Sequence, residues 1–299
     1  MPKLPNVEKL RIEMEDGDFI DLELFNKTAT EKVLLLHGLE GSSESHYIAG
    51  LTRSLLDKGF GVFVMHFRGC SGESNRLLTS YHSGISQDLD LVLKYLNKQH
   101  LEVDYCCGFS LGGNVLLKWL GEAQEQSTLK AAVAVSVPML LGECAKSINQ
   151  GFSKIYQKHL LDSLKQKTAS KYPEIESVIK LSRDKLNQIN NFEEFDDKVT
   201  APLNGFESGE DYYAKCSSRQ FLNKIRTPTL IIHAKDDPFM NEKVIPDRAE
   251  LSSDVELELH ESGGHVGFVN LASWRGAEYY LETRIPEYFD SIGLKNKAP

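Results

Sequence analysis

One serine lies in a pattern that suits nucleophilic catalysis. Residues 108–112 read Gly-Phe-Ser-Leu-Gly, which fits G-x-S-x-G, with an apolar segment before the motif and another after it. In this motif the serine occupies a sharp, strained turn from a strand to a helix, and side chains on the flanking glycines would collide with both elements. We predict that Ser110 is a nucleophile; the alternative is a structural serine in a glycine-rich turn.

A serine nucleophile needs a base and an acid that orients the base. Residues 262–268 read Ser-Gly-Gly-His-Val-Gly-Phe, and glycines on both sides let this loop carry His265 back to the edge of a sheet. Residues 235–239, Lys-Asp-Asp-Pro-Phe, follow a buried strand, and catalytic groups collect at the carboxyl edge of such sheets. We predict a triad of Ser110, Asp237 and His265. His260 and His233 have no such glycine-rich loop.

Two adjacent carboxylates compete for the orienting role. Successive side chains of an extended chain point to opposite sides, so only one of them can face the imidazole. Pro238 biases Asp237 towards an extended backbone, which holds its side chain in one direction. We therefore assign the acid to Asp237, and we expect Asp236 to bond the backbone of the turn that follows it.

The oxyanion of an acyl-transfer intermediate needs backbone donors. Residues 37–43 form a glycine-rich loop after an apolar strand, and its His-Gly-Leu start is similar to the loops of lipases and esterases. We expect the N–H groups of Leu39 and Leu111 to form the oxyanion hole.

Residues 68–73, Arg-Gly-Cys-Ser-Gly-Glu, also follow a strand and offer Cys70 and Ser71 as rival nucleophiles. The second glycine of the motif is absent there, and a polar stretch follows instead of an apolar helix. We interpret this segment as a structural or substrate-side loop.

These residues need a sheet to position them. Apolar residues alternate with charged ones on both sides of Asp16-Gly-Asp, which predicts an antiparallel hairpin. Continuous apolar runs near residues 33–37, 61–67, 103–109, 131–135 and 227–234 alternate with helical patterns and predict buried parallel strands. The sequence therefore predicts an α/β fold with a mostly parallel sheet and helices on both faces. We also expect a helix near residues 244–251 and a last helix near 286–292, with Pro286 in its first turn.

Residues 138–226 interrupt this alternation. The segment is rich in lysine, glutamine and glutamate and mostly helical in pattern, with an apolar stripe at Phe152, Ile155, Tyr156, Leu160, Leu161 and Leu164. We interpret it as a helical cap inserted into a single domain that covers residues 1–299, with its stripe buried over Ser110. The alternative is a surface excursion with no role at the site.

Composition limits the function classes. With a net charge of −9 and no basic run, the chain does not suit nucleic acid or an anionic membrane. No apolar run is long enough to span a bilayer, and the first residues lack the apolar core of a signal peptide. Five cysteines without paired spacing indicate reduced thiols in the cytoplasm. No pattern calls for a cofactor or a metal.

Several longer strings resemble the YheT-like branch of the α/β-hydrolases. They are His37-Gly-Leu-Glu-Gly-Ser42, Met65-His-Phe-Arg-Gly-Cys-Ser-Gly-Glu73, Tyr81-His-Ser-Gly84, Gly108-Phe-Ser-Leu-Gly-Gly-Asn114, Gly151-Phe-Ser153, Glu194-Phe-Asp-Asp197, Ile231-Ile-His-Ala-Lys-Asp-Asp-Pro-Phe-Met240 and Gly263-Gly-His-Val-Gly-Phe268. The resemblance covers nearly the whole chain. It implies an α/β-hydrolase fold, carboxylic ester hydrolysis and a triad at Ser110, Asp237 and His265.

The residues and the resemblance together favour a serine hydrolase that cleaves a small-molecule or lipid-like carboxylic ester through an acyl-enzyme. An acyltransferase or a thioesterase would use the same triad with another acceptor or leaving group. A third alternative is a binding protein of this fold without activity, which the intact Ser110, Asp237 and His265 argue against.

Overall fold

An eight-stranded sheet forms the centre of the computed structural model, which describes residues 7–270 and 278–295. The strand order is β1-β2-β4-β3-β5-β6-β7-β8. The strands are β1 (Glu8–Glu13), β2 (Phe19–Phe25), β3 (Lys32–Leu36), β4 (Gly61–Met65), β5 (Tyr105–Phe109), β6 (Ala131–Val135), β7 (Thr229–Ala234) and β8 (Val255–His260). The β1–β2 and β2–β4 pairs are antiparallel and the other pairs of this sheet are parallel, which confirms the predicted hairpin and the predicted fold class. β9 (Val269–Asn270) and β10 (Glu278–Tyr279) form a small separate pair.

Helices cover both faces of the sheet. The α-helices of the described chain are α1 (His46–Asp57), α2 (Ser86–Lys98), α3 (Leu111–Ala123), α4 (Leu141–Ile148), α5 (Ser153–Ala169), α6 (Glu176–Ile179), α7 (Arg183–Gln188), α8 (Phe192–Phe195), α9 (Ala201–Leu203), α10 (Gly209–Cys216) and α11 (Tyr280–Lys295). The apolar faces of α2 and α3 share one buried cluster with the sheet, and those of α1 and α11 share a second. Because the central strands are covered on both sides, they consist of nearly uninterrupted apolar residues.

The predicted helix near residues 244–251 is wrong. This stretch contains two short 3₁₀ turns, Glu242–Val244 and Arg248–Glu250, on either side of Pro246. A proline has no N–H to donate, and it keeps the preceding residue out of the helical region. The apolar spacing suited a helix, but Pro246 stops one from forming.

The last helix is longer than predicted. It begins at Tyr280 and ends at Lys295, so Pro286 lies inside it and not in its first turn. Pro286 cannot donate to the carbonyl of Glu282, four residues earlier. The hydroxyl of Ser54 on α1 donates to that carbonyl instead. A partner from another helix therefore replaces the missing hydrogen bond, and α11 continues.

The segment between β6 and β7 holds α4 to α10 and contains a third apolar cluster, formed by Ala145, Ile148, Leu161, Ile175, Ile179, Leu181, Leu186, Ile189, Phe192, Phe195, Val199 and Leu203. We call residues 138–226 the cap segment. No helix of the described ranges is long and apolar enough to cross a membrane.

The predicted apolar stripe of α5 is only partly buried. Leu161 is buried, but the side chains of Phe152, Ile155 and Tyr156 are 88%, 68% and 56% exposed. The buried face of this helix includes polar residues at helical spacing, namely Ser153, Gln157 and Thr168. Each donates a hydrogen bond, to the Pro238 carbonyl, the Asn149 amide oxygen and the Leu164 carbonyl respectively. The Thr168 bond stays within α5, but those of Ser153 and Gln157 reach residues outside it. The buried face of α5 is therefore partly polar, which hydrophobic spacing did not predict.

Candidate active site

Ser110 lies at a strained turn between β5 and α3. Its φ and ψ are 51° and −118°, a left-handed conformation that side chains seldom adopt. A Cβ on Gly108 would lie 2.5 Å from the Gly112 carbonyl oxygen, and one on Gly112 would lie 2.5 Å from the His37 carbonyl oxygen. The Ser110 N–H donates to Val135 of the neighbouring strand at 2.8 Å. Close packing and this bond together hold the turn in place.

Asp237 and His265 are hydrogen-bonded to each other. His265 Nδ1 lies 2.8 Å from Asp237 Oδ2, and because a carboxylate only accepts, Nδ1 is the donor. Asp237 is buried, and its other oxygen accepts the Phe239 N–H at 2.9 Å. The Phe239 ring packs on the imidazole with their centroids 4.3 Å apart. Ser110 and His265 line the same cavity, and the Nε2 atom of His265 is the nitrogen that Asp237 does not use.

Asp236 differs from its prediction. Its Oδ1 accepts the N–H groups of Gly263 and Gly264 at 2.8 Å and 2.9 Å. It therefore bonds the loop that carries His265, not the turn that follows it in sequence. Asp237 makes the local turn bond instead, to Phe239. The two adjacent carboxylates hold the same histidine in two ways, one through the imidazole and one through the backbone.

The loop after β3 approaches the serine closely. A Cβ on Gly38 would lie 3.3 Å from the Ser110 Cβ. The Gly38 N–H donates to the Tyr47 hydroxyl at 2.9 Å, and the Glu40 N–H donates to the Tyr81 hydroxyl at 2.8 Å. Within the described residues, the N–H groups of Leu39 and Leu111 donate to no protein acceptor, and both residues line the cavity.

His37 is buried beneath the cavity lining and forms hydrogen bonds to this loop and to the segment after β4. Its Nδ1 bonds the Gly38 carbonyl at 2.7 Å, and its Nε2 accepts the Phe67 N–H at 3.2 Å. Burial lowers the pKa of His37 to about 3, so the ring is neutral. A neutral ring with a proton on Nδ1 can make both bonds at once.

Sequence reasoning missed a buried group beside the predicted oxyanion donor. The Glu40 carboxylate accepts Tyr81 Oη at 2.7 Å, Lys167 Nζ at 2.8 Å and the Ser163 hydroxyl. Glu40 also has a positive φ of 55°. Lys167 and Ser163 belong to α5 of the cap segment, so only its position in the G-L-E loop could have drawn attention to Glu40.

The structure does not bring the rival nucleophiles to the cavity. Cys70 is buried beside Lys167, with Sγ and Nζ 3.3 Å apart, and burial raises the pKa of its thiol to about 11. The Ser71 hydroxyl donates to Asp21 at 2.7 Å, on the hairpin side of the sheet. Neither side chain is among the residues that line the cavity.

A cavity of about 280 Å³ lies between the sheet edge and the cap segment. Most of its lining is apolar or aromatic. Cap residues of the lining include Leu141, Ile148, Leu160, Leu164, Phe192 and Phe195. Apart from Ser110, His265 and the tyrosines, the polar residues of the lining are Ser80, His82, Ser83, His159, Asp196 and Thr200. In the described part of the chain, no cluster of histidine, cysteine and carboxylate side chains could hold a metal ion.

A doubly wound sheet with a serine on its central turn, and a histidine–aspartate pair at the same edge, defines an α/β-hydrolase arrangement. Comparison with known proteins agrees. A family profile described as alpha/beta hydrolase fold matches residues 32–270. YheT of Escherichia coli (strain K12) is 40% identical over 93% of this chain and 83% of its own length. The chain belongs to the α/β-hydrolase family, in the branch that contains YheT.

More distant relatives have lipid-related names. A monoacylglycerol lipase of Saccharomyces cerevisiae is 28% identical over 93% of this chain and 64% of its own length. Phospholipase ABHD3 of Bos taurus is 26% identical over 94% of this chain and 71% of its own length. Among solved structures, the Pyrococcus furiosus esterase Pf2001 superposes with a TM-score of 0.63 at 17% identity, covering 96% of this chain and 90% of that one. At that identity the likeness concerns the fold alone.

Proposed function

We propose that this protein is a serine hydrolase that cleaves a carboxylic ester through an acyl-enzyme. The observation that carries the proposal is the pairing at one cavity of a strained Ser110 with His265, whose Nδ1 donates to the buried Asp237. This combination matches the roles of nucleophile, base and orienting acid.

The proposed reaction uses His265 Nε2 and two backbone N–H groups, which have no hydrogen-bond partner among the described residues. Because Asp237 fixes the proton on Nδ1 of His265, Nε2 takes the Ser110 proton as the hydroxyl attacks the ester carbonyl. The N–H groups of Leu39 and Leu111 stabilise the oxyanion, with Leu111 at the positive end of the α3 dipole. His265 then protonates the leaving alcohol, and a water activated by the same base hydrolyses the acyl-enzyme.

The substrate we propose is a lipid-like acyl ester. The cavity is lined mainly by apolar residues, and the cap segment supplies many of them. The names of the lipase and phospholipase relatives agree with an acyl substrate. In this proposal, residues 138–226 act as a helical cap that shapes the acyl pocket within a single domain.

The cellular setting belongs to the same proposal. All five cysteines are free thiols and four of them are buried, which suits the reducing cytoplasm. An acyltransferase or thioesterase on the same triad is the second candidate. An added alcohol that captures the acyl group in place of water would distinguish transfer from hydrolysis.

The test is a panel of p-nitrophenyl esters of graded chain length together with a fluorophosphonate probe. Wild type should hydrolyse the panel and be labelled, while Ser110→Ala should lose turnover by on the order of 10⁴ or more and lose labelling. Ser71→Ala is the matched control and should retain both. Turnover near wild type in Ser110→Ala would overturn the assignment.

A further inference from the structure

The cap segment places one carboxylate in an otherwise mainly apolar cavity. Asp196 lies at the start of a π-helical turn, Asp196–Thr200, and lines the same cavity as Ser110 and His265. Turns of this kind are rare and occur often at functional sites. Asp196 also belongs to the string Glu194-Phe-Asp-Asp197, to which the triad assigns no role.

Two hydroxyl groups hold this carboxylate in position. Thr200 Oγ1 donates to Oδ1 at 2.7 Å, and Tyr213 Oη donates to Oδ2 at 2.7 Å. Each carboxylate oxygen can accept about two hydrogen bonds, so both oxygens retain accepting capacity. The carboxylate is therefore oriented but not saturated.

The charge of Asp196 has no compensation in the protein. Among residues 7–270 and 278–295, no lysine, arginine or histidine forms an ion pair with it. Burial raises the pKa of this carboxyl to about 6, against the opposing effect of the Thr200 and Tyr213 hydrogen bonds. An asparagine could accept only one of these two bonds in the same geometry, because its second terminal atom is an NH2 donor. The carboxylate therefore fits both hydroxyl donors, and its charge and spare accepting capacity remain available to a donor in the cavity.

We propose that Asp196, with Thr200 and Tyr213, forms a polar subsite that binds a free hydroxyl on the alcohol part of the ester. This rests on the proposed function and specifies its substrate class, namely acyl esters of a polyol such as glycerol. The hydroxyl donates to the carboxylate, while the acyl chain occupies the apolar part of the cavity. Asp196 is a specificity determinant and takes no part in proton transfer to Ser110.

The neighbouring polar groups suit a neutral donor. Burial lowers the pKa of His82 to about 4, so this ring of the lining is uncharged. Its Nδ1 accepts the Gly84 N–H at 3.1 Å, and the Tyr212 hydroxyl accepts the Ser83 N–H at 3.0 Å. Ser80, Ser83 and His159 also line this cavity. A diol can bond to several such groups at once.

The first experiment measures binding without catalysis. A glyceryl alkyl ether, which the enzyme cannot cleave, is titrated by calorimetry beside the methyl and 2-aminoethyl ethers of the same alkyl chain. Wild type should bind the glyceryl ether roughly tenfold to a hundredfold more tightly than the methyl ether, as expected for a hydrogen bond to a charged group. Asp196→Asn and Asp196→Leu should remove most of this preference.

Asp197→Asn is the matched control, because it makes the same charge change one residue away. Asp197 is exposed, does not line the cavity and accepts the Gly209 N–H, which an asparagine oxygen can also do. This variant should keep the preference. Equal binding of glyceryl and methyl ethers to wild type, or an unchanged preference in Asp196→Asn, would overturn the subsite. Tighter binding of the aminoethyl ether would overturn the assignment to a hydroxyl.

The second experiment compares kcat/KM for glyceryl and methyl esters of one fatty acid. Asp196→Asn should lower the glyceryl-to-methyl ratio of kcat/KM roughly tenfold or more, and Asp197→Asn should leave this ratio unchanged. An unchanged ratio contradicts the subsite. If the wild-type protein hydrolyses none of these esters, the proposed function is contradicted. The ether titration would still show whether Asp196 binds a hydroxyl.

Discussion

Lys167 of the cap segment forms an ion pair with Glu40 of the loop after β3, with Nζ and Oε1 2.8 Å apart. The Glu40 side chain is only 6% exposed, and it directly follows Leu39, the proposed oxyanion donor. Tyr81 and Ser163 also donate to this carboxylate. The position of helix α5 and the shape of the oxyanion loop are therefore coupled through one buried carboxylate.

We predict that Lys167→Met lowers kcat roughly tenfold and changes KM little. Complete loss of one oxyanion donor costs on the order of 10² to 10³, and a displaced Leu39 N–H should lose part of that. Stability should fall by roughly 1–3 kcal/mol, because Glu40 loses a charged donor. Steady-state kinetics and thermal unfolding check both. Lys158→Met, on the exposed side of the same helix, is the control. If Lys167→Met lowers Tm but leaves kcat unchanged, the ion pair has a structural role and does not position the Leu39 N–H.

We predict that substitution of Asp237 lowers kcat far more than substitution of Asp236. Asp237→Asn should lower kcat by on the order of 10⁴, because an amide in place of the carboxylate favours the wrong tautomer of His265. Asp236→Ala removes the acceptor of two loop N–H groups, so it should loosen the His265 loop and lower kcat far less. Kinetics on both variants with one ester decide the order. A larger loss in Asp236→Ala would contradict the assignment of the acid.

Asp196 should make stability depend on pH. An unfolded aspartate titrates near pH 3.9, and burial raises the pKa of Asp196 to about 6. Between these values the folded protein retains a proton that the unfolded chain has lost, so this group lowers stability as pH rises through the window. Burial raises the pKa of Tyr212 and of Tyr213, which therefore stay neutral throughout.

Asp196→Asn has no such titration. The Tm of this variant should rise relative to wild type between about pH 4 and pH 7, measured by calorimetry at unit steps. Asp197→Asn should show no comparable trend. A difference that stays constant across the window would mean that Asp196 titrates at its ordinary pH.

We predict that the Ser54 hydroxyl stabilises the protein only because Pro286 lacks an N–H group. It donates to the Glu282 carbonyl that the proline cannot satisfy. Ser54→Ala should therefore destabilise the protein by roughly 1 kcal/mol, because a partly buried acceptor loses its donor. In a Pro286→Ala background, the introduced alanine supplies an N–H, and the same change at Ser54 should cost much less. A double-mutant cycle by denaturant unfolding measures this difference, and additive effects would refute the explanation.

Features that depend on neighbouring residues could be predicted from the sequence. The turn at Ser110 is one strand, two close-packed glycines and one helix, so the motif itself contains its steric requirements. The parallel strands are recognisable because both faces are buried, and the strand-end positions of Asp237 and His265 follow from the same pattern. Two predictions about helices were wrong. The predicted helix near residues 244–251 is interrupted by Pro246, and the last helix begins before Pro286 instead of at it.

Contacts between distant segments were decided only by the tertiary structure. Asp236 bonds the His265 loop, Lys167 reaches Glu40 and Asp196 lines the cavity because separate segments dock against the sheet edge. None of these contacts has a spacing that a sequence pattern could show, since side-chain hydrogen bonds depend on ångström-scale placement. Hydrophobic periodicity also misplaced the buried face of α5, because Ser153 and Gln157 on that face bond to Pro238 and Asn149 outside the helix. The sequence determined the sheet and the strained turn at Ser110, and packing of the cap segment decided what surrounds them.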